Sequence, residues 1–204
     1  MTAMGSAADL HAVLLAIANR DHDAATALLT RAPSLVRATV ARNDEFFLAE
    51  RFAQIYEGAT ALHAASFGYD REMAQELVAR GADVRARDRR GAEPLHAAVV
   101  GNPTSPTWDP DAQCAVITFL VESGADPNSA AVGGVTPLHR AVRNRCSAAV
   151  ETLLRAGADP ALPNDSGSTA VDLASWTTGR GGSGSAEAKV EQRIILDLVE
   201  SWTP

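Results

Sequence analysis

Guanidinium groups crowd one stretch of this sequence: Arg140, Arg143 and Arg145, the last two flanking Asn144, with Arg180 further on. An arginine fork matches the paired oxygens of a carboxylate or phosphate, so the chemistry on offer is anion recognition. Arg180 opens Arg180-Gly181-Gly182-Ser183, inside a loop that runs from Trp176 to Ser185. Successive glycines leave backbone N–H groups free to point inward, and the helical run that follows adds partial positive charge at its start. The loop lacks the lysine of a Walker-type sequence, and its composition also suits a slack linker. Trp108 and Trp176 both fall in loop segments, where a large amphipathic ring either packs or binds. The expected site is a composite pocket for a carboxylate or phosphate. Trp108 and Trp176 wall it, Arg140, Arg143 and Asn144 floor it with Arg145 and Arg180 beside them, and residues 179–185 close it. The competing expectation is internal pairing of these arginines with Asp109, Asp111 or Glu187.

No catalytic set stands out. Asp109, Asp111, Glu187, Cys146 and Tyr56 are the acid or base candidates, and sequence separation hides their mutual distances. His63, His96 and His139 recur in step with the sequence pattern described next. A ladder of that kind cannot converge on one ion, and His11 and His22 show no ligand-like spacing, so neither metal nor cofactor is expected.

The elements that must position these groups follow from a 33-residue echo. Gly58-Ala-Thr-Ala-Leu-His63, Gly91-Ala-Glu-Pro-Leu-His96, Gly134-Val-Thr-Pro-Leu-His139 and a worn Gly167-Ser-Thr-Ala-Val-Asp172 repeat one motif. A second marker, Gly-Ala-Asp, recurs at Gly81, Gly124 and Gly157, always 14 residues before Leu95, Leu138 or Val171. Thr60, Thr136 and Thr169 suit helix N-caps, and Pro94 and Pro137 suit the first helical position. Apolar residues such as Val116, Ile117, Leu120 and Val121 then read as a second helix with one buried stripe, ended by a glycine able to take positive φ. Each repeat is a helix pair plus a turn.

These motifs resemble the ankyrin repeat over roughly residues 58–204, and residues 9–33 resemble a divergent helix pair of the same family. The resemblance implies an all-α solenoid of about five units in a single domain. The units are residues 9–33, 58–90, 91–133, 134–166 and 167–204, with an insertion at 34–57. It implies protein recognition through a concave helical face and turn tips. The motif histidines become structural, tying each repeat to the neighbouring turn, and Arg140 faces the concave side. Stacked repeats hold equivalent atoms roughly 8–10 Å apart, beyond disulfide reach, so Cys114 and Cys146 should be free thiols.

Three insertions break the pattern. Residues 34–57 include Asp44 to Tyr56, where Phe47, Phe52, Ile55 and Tyr56 suggest an added amphipathic helix. Gly101 to Pro110 separates the helices of the second repeat, and Trp176 to Ser185 those of the fourth. The last two bracket the arginine-bearing tip between them.

The chain has 204 residues, 46% hydrophobic, with net charge −7. Acidic balance argues against nucleic acid as a partner, and Arg85 to Arg90 reads as a solvated face. The apolar run from His11 to Ala18 is too short to span a membrane and lacks a basic flank, so a cytoplasmic location is expected. The leading expectation is a non-enzymatic module for an unidentified protein partner. The alternatives are a binder or enzyme for a small anionic metabolite, and an oligomerising role through end surfaces that include Trp202.

Overall fold

The structure, a computed structural model, describes residues 6–48, 53–101, 103, 106–176 and 185–202. The chain divides into two compact units, residues 1–98 and 99–204. The division falls within the second repeat, beside its insertion.

The first unit holds α1 (Ala7–Ala18), α2 (His22–Arg31), the strands β1 (Phe46–Leu48) and β2 (Ala53–Ile55), α3 (Ala61–Phe67), α4 (Arg71–Ala79) and α5 (Pro94–Ala98). The second holds α6 (Pro110–Glu122), α7 (Pro137–Asn144), α8 (Ser147–Arg155), α9 (Ala170–Ser175) and α10 (Ala186–Ser201). Like packs on like. In the first unit α3 lies against α1 and α5; in the second α7 meets α9, and α8 meets both α6 and α10. That is solenoid packing, in which each helix buries its stripe against the same helix of the adjacent repeat. The buried side chains follow suit: Leu14, Ile17, Leu62, Met73 and Leu77 in one unit, and Val116, Leu120, Leu138, Leu153 and Ile195 in the other. Each contributes about 1.5–3 kcal/mol by leaving water.

Two of the three predicted threonine caps form through the hydroxyl, while at Thr60 the His63 N–H goes to the backbone carbonyl at 3.0 Å. Thr136 Oγ1 accepts from the His139 N–H at 3.3 Å, and Thr169 Oγ1 from the Asp172 N–H at 3.3 Å. The histidines extend the cap outward. Nδ1 of His63 accepts from the Thr60 N–H at 3.2 Å, which leaves Nε2 as donor to the Ala92 carbonyl at 3.0 Å, in the next turn. His139 repeats this with Thr136 and the Ser168 carbonyl, at 3.2 and 3.1 Å. Both rings are buried, which pushes their pKa down and keeps them neutral. With both ring nitrogens engaged, His63 and His139 act as struts between repeats. Glu93 stands where the other repeats have threonine, 2% exposed and paired with Arg87 at 2.9 Å. Successive turns also approach at backbone level. A Cβ on Gly134, where φ is +67°, would lie 2.7 Å from the Asp165 nitrogen.

One expected element is corrected. Among the described residues from Asp44 to Tyr56, which leave out Phe52, there is no α-helix: after a 3-10 turn at Arg42–Asp44, β1 and β2 pair antiparallel with Phe46 opposite Ile55 and Phe47 opposite Gln54. Ile55 is buried and the Phe46 ring packs on His11, centroids 4.2 Å apart, so one hairpin face joins the core. Glu45 and Tyr56, at the outer ends of the strands, are held by the turn that ends the 58–90 repeat. Arg89 pairs with Glu45, and the Arg89 and Arg90 guanidiniums lie 4.7 and 5.3 Å from the Tyr56 ring. These tertiary bonds fix strands where side-chain spacing alone admitted a helix.

Candidate functional site

The two helices of a repeat are joined by a tight tip, and three tips share one backbone. Arg20, Tyr69 and Arg145 sit in the left-handed region at φ 59°, 53° and 60°. Each donates its N–H three residues back, to Ile17, Ser66 and Val142, at 3.0–3.2 Å. The next residue donates five back, from Asp21, Asp70 and Cys146, at 2.9–3.2 Å. That residue is also the N-cap of the second helix. Asp21 and Asp70 fill the role with a carboxylate, accepting from Ala24 and Met73 at 3.0 Å. Cys146 cannot; instead Glu191 of α10 accepts from the Ser147 N–H at 2.8 Å.

Two of the tips carry arginine, and both arginines reach the end of the first helix in the next repeat. Arg20 Nη2 donates to the carbonyl of Gly68, the C-cap of α3, at 2.9 Å. Arg145 Nη2 donates to the carbonyl of Trp176, the C-cap of α9. Their surroundings differ. Arg20 is exposed, whereas Arg145 is 1% exposed. Nε and Nη1 of Arg145 have no hydrogen-bond partner among the described residues, and no carboxylate pairs with it there. Burial alone lowers the pKa of this guanidinium, with no acidic group lifting it back. An arginine nonetheless stays charged.

Around Arg145 the other groups are committed to structure. Asn144 Nδ2 donates to the Val99 carbonyl at 2.9 Å. The Cys146 thiol donates to the Gly101 carbonyl at 3.3 Å, and burial pushes its pKa up to about 12. Such a thiol is inert as a nucleophile at neutral pH. Gln192 Nε2 donates to the carbonyls of Ala174 and Trp176 at 2.9 and 3.0 Å.

The residues expected to form the pocket are placed unequally. Arg145, Asn144 and the Trp176 backbone come together at the α7–α8 tip. Arg143 is exposed on α7, and Arg140 is half-buried beside His139. Trp108 is half-buried and fixed to α6 through Nε1 to Gln113 Oε1 at 3.0 Å, while Trp176 is 48% exposed. Arg180, Gly181, Gly182 and Ser183 lie outside the described residues, as does most of the loop from 179 to 185. Among the acid or base candidates, Asp109 caps α6 through the Ala112 N–H at 3.0 Å. Glu187 is held below the usual carboxylate range by its own backbone N–H and the Ser185 hydroxyl. Tyr56 is held by Arg89 and Arg90. Neither Arg20 nor Glu191 and Gln192 featured among the expected residues. One signal was available for Arg20: Asn19-Arg20 and Asn144-Arg145 are the same dipeptide, each directly before a second helix.

Both cysteines are free. Among the described residues, no group of three or more His, Cys, Asp or Glu could hold a metal ion, and no helix is long and apolar enough to cross a membrane. A search of curated proteins finds no match. Two family models do match: one for ankyrin repeats in three copies over residues 13–131, and one for ankyrin repeats in many copies over residues 120–174. With the capped helix pairs, the histidine struts and more than half of the sequence matched by a single model, the chain belongs to the ankyrin-repeat family, whose repeats are in general protein-interaction modules.

Proposed function

We propose that this chain is a non-catalytic binding protein that takes a protein partner on its turn tips and on the concave helical face of its repeats. One observation carries the reading: apolar side chains stand exposed on turns that hydrogen bonds hold in place. Phe47 is 56% exposed on the hairpin that Glu45, Tyr56 and Arg89 fasten to the following turn. Val132 is 71% exposed in the turn closed by the Ala131–Val135 bridge. Binding costs less when the contact residues are already ordered, and buried apolar anchors supply most of the energy of an interface. The groups that could otherwise do chemistry have structural duties, His63 and His139 as struts and Cys146 as a buried thiol.

The test is affinity capture with the full chain, comparing wild type with Phe47→Asp and Val132→Asp. The reading predicts a stoichiometric partner that one or both substitutions reduce at least about tenfold, with the melting temperature unchanged. Capture of nothing stoichiometric, or capture indifferent to both substitutions, contradicts it.

A further inference from the structure

Helix α10 packs on α8 and α9, and Ala188, Ile195 and Val199 form its buried stripe. On the opposite face Val190 is 59% and Ile194 41% exposed, one helical turn apart. An equivalent position is closed elsewhere in the same unit. Leu198-Val-Glu-Ser repeats Leu120-Val-Glu-Ser, which sets Ile194 level with Val116 of α6, and Val116 is fully buried. A stacked unit ordinarily shows water a polar outer face. Beside the apolar pair the charges are sorted by sign. Lys189, Arg193, Asp197 and Glu200 follow one edge of the helix, all exposed, cations in its first half and acids in its second. Turned end for end, that edge is its own complement: Lys189 and Arg193 of one helix meet Glu200 and Asp197 of the other, with Ile194 near the centre. A parallel pair would set like charges together. Arg193 and Asp197 also pair within the helix at 3.7 Å, but both side chains lie in solvent, so little is lost when each turns to a second copy.

We propose that the exposed face of α10 is a self-association surface, on which a second copy of this chain docks its own α10 antiparallel across a twofold axis. Val190 and Ile194 supply the apolar centre. Pairs of Arg193 with Asp197 and of Lys189 with Glu200, each made twice by the symmetry, set the direction. The 16 residues of α10 span about 24 Å, and one pair of helix faces that long buries less than the roughly 1,200 Å² of a standard interface. The dimer is therefore weak and reversible. It is independent of the protein-binding reading, since neither Phe47 nor Val132 belongs to α10.

Sedimentation velocity of the purified full chain, from about 10 μM to about 1 mM, tests the proposal. Wild type should pass reversibly from monomer to dimer over that range. Ile194→Asp should weaken the association at least about tenfold. Arg193→Glu and Asp197→Arg should each weaken it alone. An equimolar mixture of those two should associate more tightly than either by itself, because the edge of the first variant is acidic and that of the second basic. All three substitutions fall on exposed side chains, and an unchanged melting temperature checks that the fold is kept. A monomer at every concentration overturns the proposal, as does a dimer indifferent to Ile194→Asp. A dimer whose charge-reversed mixture gains nothing overturns the antiparallel pairing. Loss of a captured foreign protein by Ile194→Asp, with no self-association, gives the face to a different partner and overturns the dimer as well.

Discussion

The tips at Arg20 and Arg145 are the same piece of backbone put to two uses. Both arginines occupy left-handed positions after the first helix of a repeat, and both bond the C-cap carbonyl of the next repeat's first helix. At Arg20 the following residue is an aspartate that caps its helix from within, and the guanidinium stays in water. At Arg145 the following residue is a buried cysteine, the cap comes from Glu191, and the guanidinium is enclosed. The backbone of a repeat fixes where the side chain starts, and what surrounds it decides whether the charge is solvated or enclosed. In water an arginine–carbonyl bond is worth little; in the interior an unmet guanidinium is costly.

The largest effect should come from reversing the two charges. Arg145→Glu buries a carboxylate against the Trp176 carbonyl and should lower stability by about 3–5 kcal/mol. Arg20→Glu should cost no more than about 1 kcal/mol. Urea unfolding of the two variants measures the contrast, and similar losses would show that the two environments are alike.

A smaller effect belongs to the N-caps. Asp70→Ala removes the bond to the Met73 N–H and the partner of His22, and should cost about 2 kcal/mol. Cys146→Ala keeps the Glu191 cap and removes only the thiol, so it should cost about 1 kcal/mol. An equal loss in both would mean that the cysteine contributes more than packing.

The smallest effect separates the tips by pH. His22 Nε2 lies 2.6 Å from Asp70, and that hydrogen bond raises the imidazole pKa above its ordinary 6.5 against the opposing effects of burial and Arg20. The charged form is the one favoured by folding. Its contribution is complete below pH 6.5 and is lost as pH rises through the raised value. Because His22 is partly exposed, this is worth less than about 1 kcal/mol. The buried His63 and His139 act oppositely, losing stability as pH falls through their lowered values, so the comparison must be made between wild type and His22→Gln. Their stability difference should shrink from pH 6 to pH 8; a constant difference contradicts the pairing.

The repeats were legible because two motifs recur in phase, and each motif residue has a local duty: Thr136 and Thr169 cap, Pro137 starts a helix, Gly134 admits a neighbouring turn. The hairpin from Phe46 to Ile55 was not, because its pairing depends on Arg89 and Arg90, which lie in the next repeat. The arginine-rich tip was visible as composition only. Its sequence could not show that Arg145 is enclosed while Arg143 faces solvent, since that depends on what packs around the tip: Arg20 has the same left-handed backbone and stays exposed. The need for Glu191 as a distant cap followed from Cys146, a residue unable to cap, and that signal stood beside the arginines unread.

The most direct measurement is NMR of the arginine Nε–H groups in the full chain, assigned with Arg20→Lys and Arg145→Lys. The Arg145 Nε–H should exchange slowly with water, while the Arg20 Nε–H exchanges fast. If Arg145 exchanges as fast as Arg20, the two tips do not differ in the way their surroundings require.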